Sequence, residues 1–247
     1  MQLPLLIIQA RLSSTRLPGK VLRPFFGDKT ILDIQLETIN KYLPNHEVVV
    51  ATTVNPADHP LVNHCNKLGV TAFRGSEADV LQRFIDCTDS FDAQHVVRIC
   101  SDNPFLAGNE LAEVTKAGQY GVDYFSFKNS EGTPAIKTHW GLFAEFVTRD
   151  AMQRAAKATK EAFYHEHVTN YIYGNTDDFT VKLAPAPPAI VNRNDLRFTI
   201  DTPKDFETCQ AIYAAWDKQS LTSLIDLVDD NAHWLESMKT GIAQFTK

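Results

Sequence analysis

Short apolar runs without polar alternation recur along this chain, and each is followed by a segment with helical spacing. Leu5-Leu6-Ile7-Ile8, Glu47 to Thr53, Val70 to Phe73, His95 to Cys100 and Val122 to Phe127 are such runs. A run of this kind suits a strand covered on both faces, as in a parallel sheet. Between them, Leu32, Leu36, Ile39 and Leu43 fall on one helical face, Pro56 to Leu68 reads as helix, Val80, Leu81, Phe84 and Ile85 share a side, and Leu111 to Ala117 reads as helix. Strands alternating with helices at this rhythm predict a doubly wound, mostly parallel α/β sheet.

From about 133 to 188 the rhythm changes. Helical stretches near Arg149–Ala158 and Glu166–Tyr173 mix with short strands, including Phe179–Leu183, and Ala184–Pro188 (APAPP) reads as an extended connection. The expectation is one domain over 1–247 with an inserted subregion, a lid or a dimerisation arm. Phe198–Ile200 is expected as a further strand, leading into a helix with Thr202 as N-cap, Pro203 at its first position and Asp205 in its first turn. Ser220 to Glu236 is a last helical stretch.

Composition narrows the function. With 247 residues, 44% hydrophobic and 22% charged, the chain is neither a disordered tail nor a small disulfide scaffold. No apolar run approaches the roughly 20 residues that span a bilayer, and the basic-then-apolar order of a secretory signal is absent. Cys65, Cys87, Cys100 and Cys209 are scattered without CxxC pairs, which reads as reduced core thiols in a cytoplasmic protein. The formal net charge of −6 argues against a general nucleic-acid binder. Yet Met1 to Gly27 contains no Asp or Glu and carries Arg11, Arg16, Lys20 and Arg23. Such a concentrated positive segment suits a compact anion such as a phosphate chain.

In open parallel sheets, ligands bind beyond the carboxyl ends of the strands. Gln9 to Lys20, directly after the first strand, is a Ser-, Thr- and Gly-bearing loop whose N–H groups, guanidinium and ammonium groups can meet phosphate. It lacks both GxxxxGK[ST] and GxGxxG. Ser101-Asp102-Asn103-Pro104 follows the fourth strand, and Asp201 follows Phe198–Ile200. Each aspartate alone could merely cap a turn; together with the basic loop they suggest Mg2+ held between protein and polyphosphate. His165 and His167 are two apart and so point to different sides of a helix, and HExxH is absent, which disfavours zinc. Phe143, Phe146, Phe163, Tyr164, Tyr171 and Tyr173 form an aromatic group, readable as core or as a dimer interface.

QARLSSTRLPGKVL (Gln9–Leu22) resembles the opening signature of the cytidylyltransferases that make CMP-activated acidic sugars. The chain is most similar to the branch named for spore coat polysaccharide biosynthesis protein F. Arg74–Arg83, Arg98–Pro104, His165–Thr169 and Phe198–Phe206 fit that branch in order, and the likeness spans Leu5 to about Gln210. Where relatives commonly carry Met-Gly, this chain has Leu12-Ser13. The resemblance implies a nucleotide-diphospho-sugar transferase type fold and the reaction of CTP with a sugar acid to give CMP-sugar and pyrophosphate, in surface polysaccharide or glycan biosynthesis. It implies that Arg11 and Lys20 bind triphosphate and that Asp102 and Asp201 hold Mg2+. It further implies that Ala10, Ser13, Arg74, Gly75, Ser76 and Arg83 lie by the nucleotide, that His165, Glu166 and His167 face the sugar or a partner subunit, and that the protein is a homodimer. Two alternatives stay open: a transferase of the same fold using another nucleotide or a nucleotide sugar, and a catalytically silent nucleotide-binding partner.

Overall fold

The first apolar run forms β1 (Leu5–Gln9), which lies between two parallel neighbours inside the main sheet. The computed structural model describes residues 2–245. A short hairpin of β2 (Pro24–Phe26) and β3 (Lys29–Thr30) leads into α1 (Ile31–Tyr42), whose N-terminus is closed by a Thr30/Asp33 capping box. Then follow β4 (Val48–Thr53), α2 (His59–Leu68), β5 (Thr71–Gly75), α3 (Val80–Ser90), β6 (His95–Cys100), α4 (Gly108–Val114) and β7 (Tyr124–Lys128). The expected α/β alternation is present, with boundaries moved by a few residues.

The chain continues through β8 (Glu145–Thr148), α5 (Arg149–Ala158), α6 (Ala162–Glu166), α7 (Asn170–Gly174) and β9 (Val181–Pro185). It ends with α8 (Pro203–Ala215), α9 (Leu221–Asp229) and α10 (Ala232–Gln244). The main sheet has seven strands in the order β5-β4-β1-β6-β8-β7-β9. β8 alone runs against its neighbours. The segment 133–188 therefore contributes two strands, β8 and β9, to the main sheet.

The sheet separates two apolar clusters. Leu6, Ile8, Val50, Val97, Ile99 and Phe146 face α1, α8 and α9, represented by Leu32, Ile212 and Ile225. Leu5, Ile7, Val49, Val96 and Val147 face α3 and α5, represented by Phe84 and Met152. Consecutive residues of one strand thus enter different cores, which explains why the strands read as continuous apolar runs. Among the described residues, no helix is long and apolar enough to cross a membrane.

Three expectations need correction. Phe198–Ile200 is extended but is no strand of the sheet: Phe198 N–H donates to His139 O (3.0 Å) and Ile200 N–H to Asp102 O (3.2 Å). The stretch 220–236 is two helices, because Asn231 caps a new one through Trp234 N–H (3.3 Å). Of APAPP, the first two residues complete β9.

One polar network crosses the sheet. Arg98 on β6 stands opposite Glu145 on β8, and their side chains form a buried ion pair. Glu145 also accepts from the Thr169 hydroxyl (2.9 Å) and the Tyr124 hydroxyl, while Arg98 donates to Gln9 Oε1 (3.1 Å). Burial, together with the neighbouring Glu145 charge, pushes the Tyr124 phenol well above its usual range. Removing one member of such a pair strands a charge in a dry environment. Glu145→Ala is expected to lower stability by about 3–5 kcal/mol in urea unfolding, and Arg98→Met with Glu145→Leu to recover most of that loss.

Candidate functional site

The loop after β1 is shaped by anchors at both ends. Leu12 N–H donates to Oδ1 of the buried Asp58 (2.7 Å), and Gly19 N–H closes back on Leu12 O (3.0 Å). Leu17 and Val21 are buried in the core. Gly19 takes φ +70°, a left-handed conformation open to glycine, and turns the chain into a short 3-10 turn that begins at Lys20. Lys20 is thereby delivered to the carboxyl edge of the sheet with its side chain largely buried.

There it meets both predicted aspartates. Lys20 Nζ lies 3.2 Å from Asp102 Oδ2 and 3.9 Å from Asp201 Oδ1, and it also donates to Ile200 O. Asp102 follows β6 in a turn that Gln35 of α1 fixes: Gln35 Nε2 donates to Cys100 O (2.8 Å) and Asn103 O (2.9 Å). Asp201 is drawn alongside by the Ile200 N–H to Asp102 O bond. Residues 20, 102 and 201 are thus brought together in one cleft, whose walls also include Gln9, Arg11, Thr15 and Arg16.

Asp201 is held from two further sides. Arg16 Nη2 lies 2.9 Å from its Oδ1, and Arg197 Nη2 2.9 Å from its Oδ2. Arg197 is fully buried and also grips both oxygens of Asp205 (2.8 and 3.0 Å) and His139 Nδ1. Burial opposes the charge of Asp205, but Arg197 and the N–H groups of Asp201 and Thr202 hold its carboxyl below the usual range. The Phe245 ring lies under both guanidinium groups, 4.9 Å from that of Arg16 and 5.4 Å from that of Arg197. The expected Thr202 N-cap is present as part of a capping box, and Asp205 serves the cap and Arg197 together.

Other predicted residues stand around this cleft in different ways. Ala10 is buried at the end of β1. Arg11 is exposed and 3.8 Å from Glu166 Oε1, so α6 faces the mouth of the cleft through Glu166. Ser13 turns away and donates to Glu77 Oε1 (3.1 Å). Arg74 spends its guanidinium on the carbonyls of Thr53, Val54 and Asn55 (2.8–3.1 Å). Arg83 is buried and donates to Ser76 O (2.6 Å), and the Ser76 hydroxyl accepts from Asp79 N–H (3.0 Å). A Cβ at Gly75 would meet Arg83 Cγ at 2.7 Å, so glycine is what lets Arg83 fold against that loop. Gly75, Ser76 and Arg83 knit the loop after β5, and Arg74 ties β5 to the loop after β4; none of the four lines the Lys20 cleft. Burial, with the Arg11 charge adding to it, pushes the Arg83 pKa down to about 10.

His165 and His167 diverge, as their spacing requires. The His165 ring reaches Asp79 Oδ2 (2.7 Å) with Nδ1 and Thr159 O (3.0 Å) with Nε2. His167 packs on the Phe163 ring (4.8 Å between centroids), and burial pushes its pKa down. Of the aromatic group, Phe143 and Phe146 are core, whereas Phe163 is 54% exposed.

Sequence reasoning missed Gln35, Asp58, Arg197 and Phe245. Gln35 carried a legible signal, because it lies in the apolar stripe of α1 between Leu32 and Ile39 and is fully buried. Phe245 carried none, since its partners, Arg16 and Arg197, are far away along the chain.

A family model for cytidylyltransferases matches residues 5–236. The spore coat polysaccharide biosynthesis protein SpsF of Bacillus subtilis is 34% identical over 237 residues, covering 92% of this chain and 94% of that protein. An uncharacterised protein of Methanocaldococcus jannaschii is 40% identical over 240 residues, covering 96% and 95%. The solved structure of a cytidylyltransferase from Leptospira borgpetersenii is similar with a TM-score of 0.82 at 27% identity, covering 95% of this chain and 97% of that one. The mixed α/β sheet, with cationic loop and paired carboxylates at its carboxyl edge, is that of a nucleotidyltransferase. More particularly, the chain belongs to the cytidylyltransferase family.

Two ring nitrogens of His165 facing two acceptors favour its doubly protonated form. The bond to the Thr159 carbonyl, with the Asp79 carboxylate adding, outweighs partial burial and holds its pKa above the ordinary 6.5. The contribution of this link to α6 is therefore fully present below pH 6.5 and lost as pH rises through the higher folded-state value. Hydrogen-exchange protection across α6 is expected to fall as pH is raised from about 6 to about 8, and to lose that dependence in His165→Gln.

Proposed function

We propose that the protein transfers the cytidylyl group of CTP to a hydroxyl of a small acidic sugar, with Mg2+ as cofactor. The observation that carries this reading is the meeting of Lys20 with Asp102 and Asp201 at the carboxyl edge of the sheet. The acceptor oxygen bonds to the α-phosphorus of CTP. The bond from that phosphorus to the oxygen bridging to the β-phosphorus breaks, pyrophosphate departs with that electron pair, and the acceptor proton passes to solvent.

The donor set fits magnesium. Asp102 and Asp201 offer hard carboxylate oxygens around a point where the Lys20 ammonium already stands as a cation. Among the described residues, no group of three or more His, Cys, Asp or Glu could hold a metal, so the remaining ligands would come from phosphate and water, as is usual for this ion. Bound there, magnesium would polarise phosphoryl oxygens. Lys20 and Arg11 neutralise charge as it moves onto pyrophosphate, and Arg16 adds a guanidinium on the same wall. Arg197 and Arg16 orient the Asp201 carboxylate, and Phe245 holds both guanidinium groups in place.

A likeness of fold to the solved CMP:2-keto-3-deoxy-manno-octonic acid synthetase complexed with CTP supports the reading (TM-score 0.62, 15% identity, 87% of this chain and 99% of that one). On this reading α6 is the side of acceptor entry, with His165 and His167 as its frame; the contact of Glu166 with Arg11 supports it. The exposed Phe163, packed on Tyr164, supports a second copy of this chain as partner. A cytoplasmic reaction in polysaccharide assembly is part of this reading, and the likeness to a spore coat polysaccharide biosynthesis protein supports it.

Pyrophosphate release, assayed with CTP, magnesium and a panel of sugar acids, tests the reading. Release with one acid is expected, and Lys20→Ala is expected to reduce it about a hundredfold with the fold intact. Calorimetric CTP binding without release across the panel would point to a silent nucleotide-binding partner, and tighter UTP or ATP binding to another transferase. Phe245→Ala is expected to weaken magnesium–CTP binding about fivefold, the loss of two cation–π contacts, and Phe245→Trp to restore it.

A further inference from the structure

Gln9 is the last residue of β1 and lines the Lys20 cleft. Its main chain belongs to the sheet, opposite Ala51 of β4 and Cys100 of β6, and its carbonyl accepts from Ser101 N–H (3.2 Å). Its side chain lies on the α3 and α5 side, because Ile7, two residues earlier, belongs to that core. Arg98 and Glu145 share this face, each two residues from a member of the same core, Val96 and Val147. A polar row of Glu145, Arg98 and Gln9 therefore runs from β8 across β6 to the carboxyl end of β1.

Arg98 decides how the Gln9 amide is turned. A guanidinium donates and never accepts, so Arg98 Nε, 3.1 Å away, meets the amide oxygen. Gln9 lines the cleft and Arg98 does not, so the NH2 group is the end left for the cleft. Among the described residues nothing accepts from Gln9 Nε2, and that nitrogen is not sealed inside the protein. Arg98 is itself buried and held by Glu145, which Tyr124 and Thr169 hold in turn. The amide cannot turn over without stranding a buried N–H of Arg98. The cleft thus meets two N–H donors and no acceptor, polarised by the guanidinium behind the oxygen.

Such a group suits an anionic oxygen better than a hydroxyl, which must also place its own proton. Phosphate and the carboxylate of an acidic acceptor are the two sources of anionic oxygen in this cleft. Lys20, Arg11 and Arg16 serve the phosphates from the loop after β1. The polar row instead continues through Glu145 to the Thr169 hydroxyl, three residues beyond Glu166 of α6, on the side of acceptor entry. We propose that Gln9 Nε2 donates to the acceptor's carboxylate and makes the enzyme select acids, with Arg98 as the positioning residue behind it. The inference rests on the cytidylyl-transfer reading and deepens it by naming the atom that reads the acid.

Two variants test it. Gln9→Glu keeps an oxygen for Arg98 and puts a second oxygen where the NH2 group stood. Gln9→Met removes the donors without adding charge. Pyrophosphate release would be followed with CTP, magnesium and either 2-keto-3-deoxy-manno-octonic acid or N-acetylneuraminic acid, each as free acid and as methyl ester. The unaltered protein is expected to prefer acid over ester. The KM for the acid is expected to rise about tenfold in Gln9→Met and about a hundredfold in Gln9→Glu, with the preference for acid lost in both. The KM for CTP should stay within about twofold in Gln9→Met, and the melting temperature of Gln9→Glu should not fall, because Arg98 keeps its partner. No preference for acid in the unaltered protein, or an intact preference in both variants, would overturn the assignment. A KM for CTP that rises with that for the acid in Gln9→Met would put the amide on phosphate and overturn it too. Absence of release from the unaltered protein with both free acids would overturn the cytidylyl-transfer reading beneath it as well.

Discussion

One ammonium group sets the geometry of this protein's working edge. Lys20 is buried between Asp102, Asp201 and the carbonyl of Ile200, segments that are far apart along the chain. Two carboxylates side by side repel each other, and a buried cation between them removes that cost. On the proposed reading a polyphosphate and a divalent ion would use the same arrangement, because positive charge is already in place and the acidic oxygens already converge. Stability of the free chain and readiness for a highly charged ligand therefore draw on the same contacts.

The surroundings make that edge rigid. Gln35 holds the turn that carries Asp102, Asp58 holds the start of the cationic loop, and Arg197 holds Asp201. Each is a buried polar group hydrogen-bonded on more than one side, so each fixes position more firmly than an apolar contact would. Farther down the sheet, Arg98 and Glu145 tie the reversed strand β8 to the parallel strands. The cleft sits on elements that have little freedom to drift, which is the condition for electrostatic preorganisation.

Much of this was legible in the sequence. Unalternating apolar runs predicted the strands, helical spacing predicted α1 and α3, and the Thr202-Pro203-Lys204-Asp205 pattern predicted the start of α8. The acid-free segment with Arg11, Arg16 and Lys20 predicted a cationic loop at a strand end. Less legible was the stretch after β7. Glu145 opens a short strand of four residues, and a buried charge there hides the strand from any apolar pattern. Ser13, Arg74 and Arg83 carry chemistry suited to a nucleotide, yet the hydrogen bonds they make go to Glu77 and to backbone carbonyls.

Local signals survive in a sequence because they act within a turn or two: capping, φ preference, the period of burial and the density of charge. These determined the class of fold, the cationic loop and the aspartate that follows β6. Which strand is reversed, that Ile200 N–H meets Asp102 O, and that Phe245 lies under Arg16 and Arg197 were decided only by tertiary structure. Such contacts join residues whose separation along the chain carries no information about their distance in space, so they exist only once the sheet has its order and register.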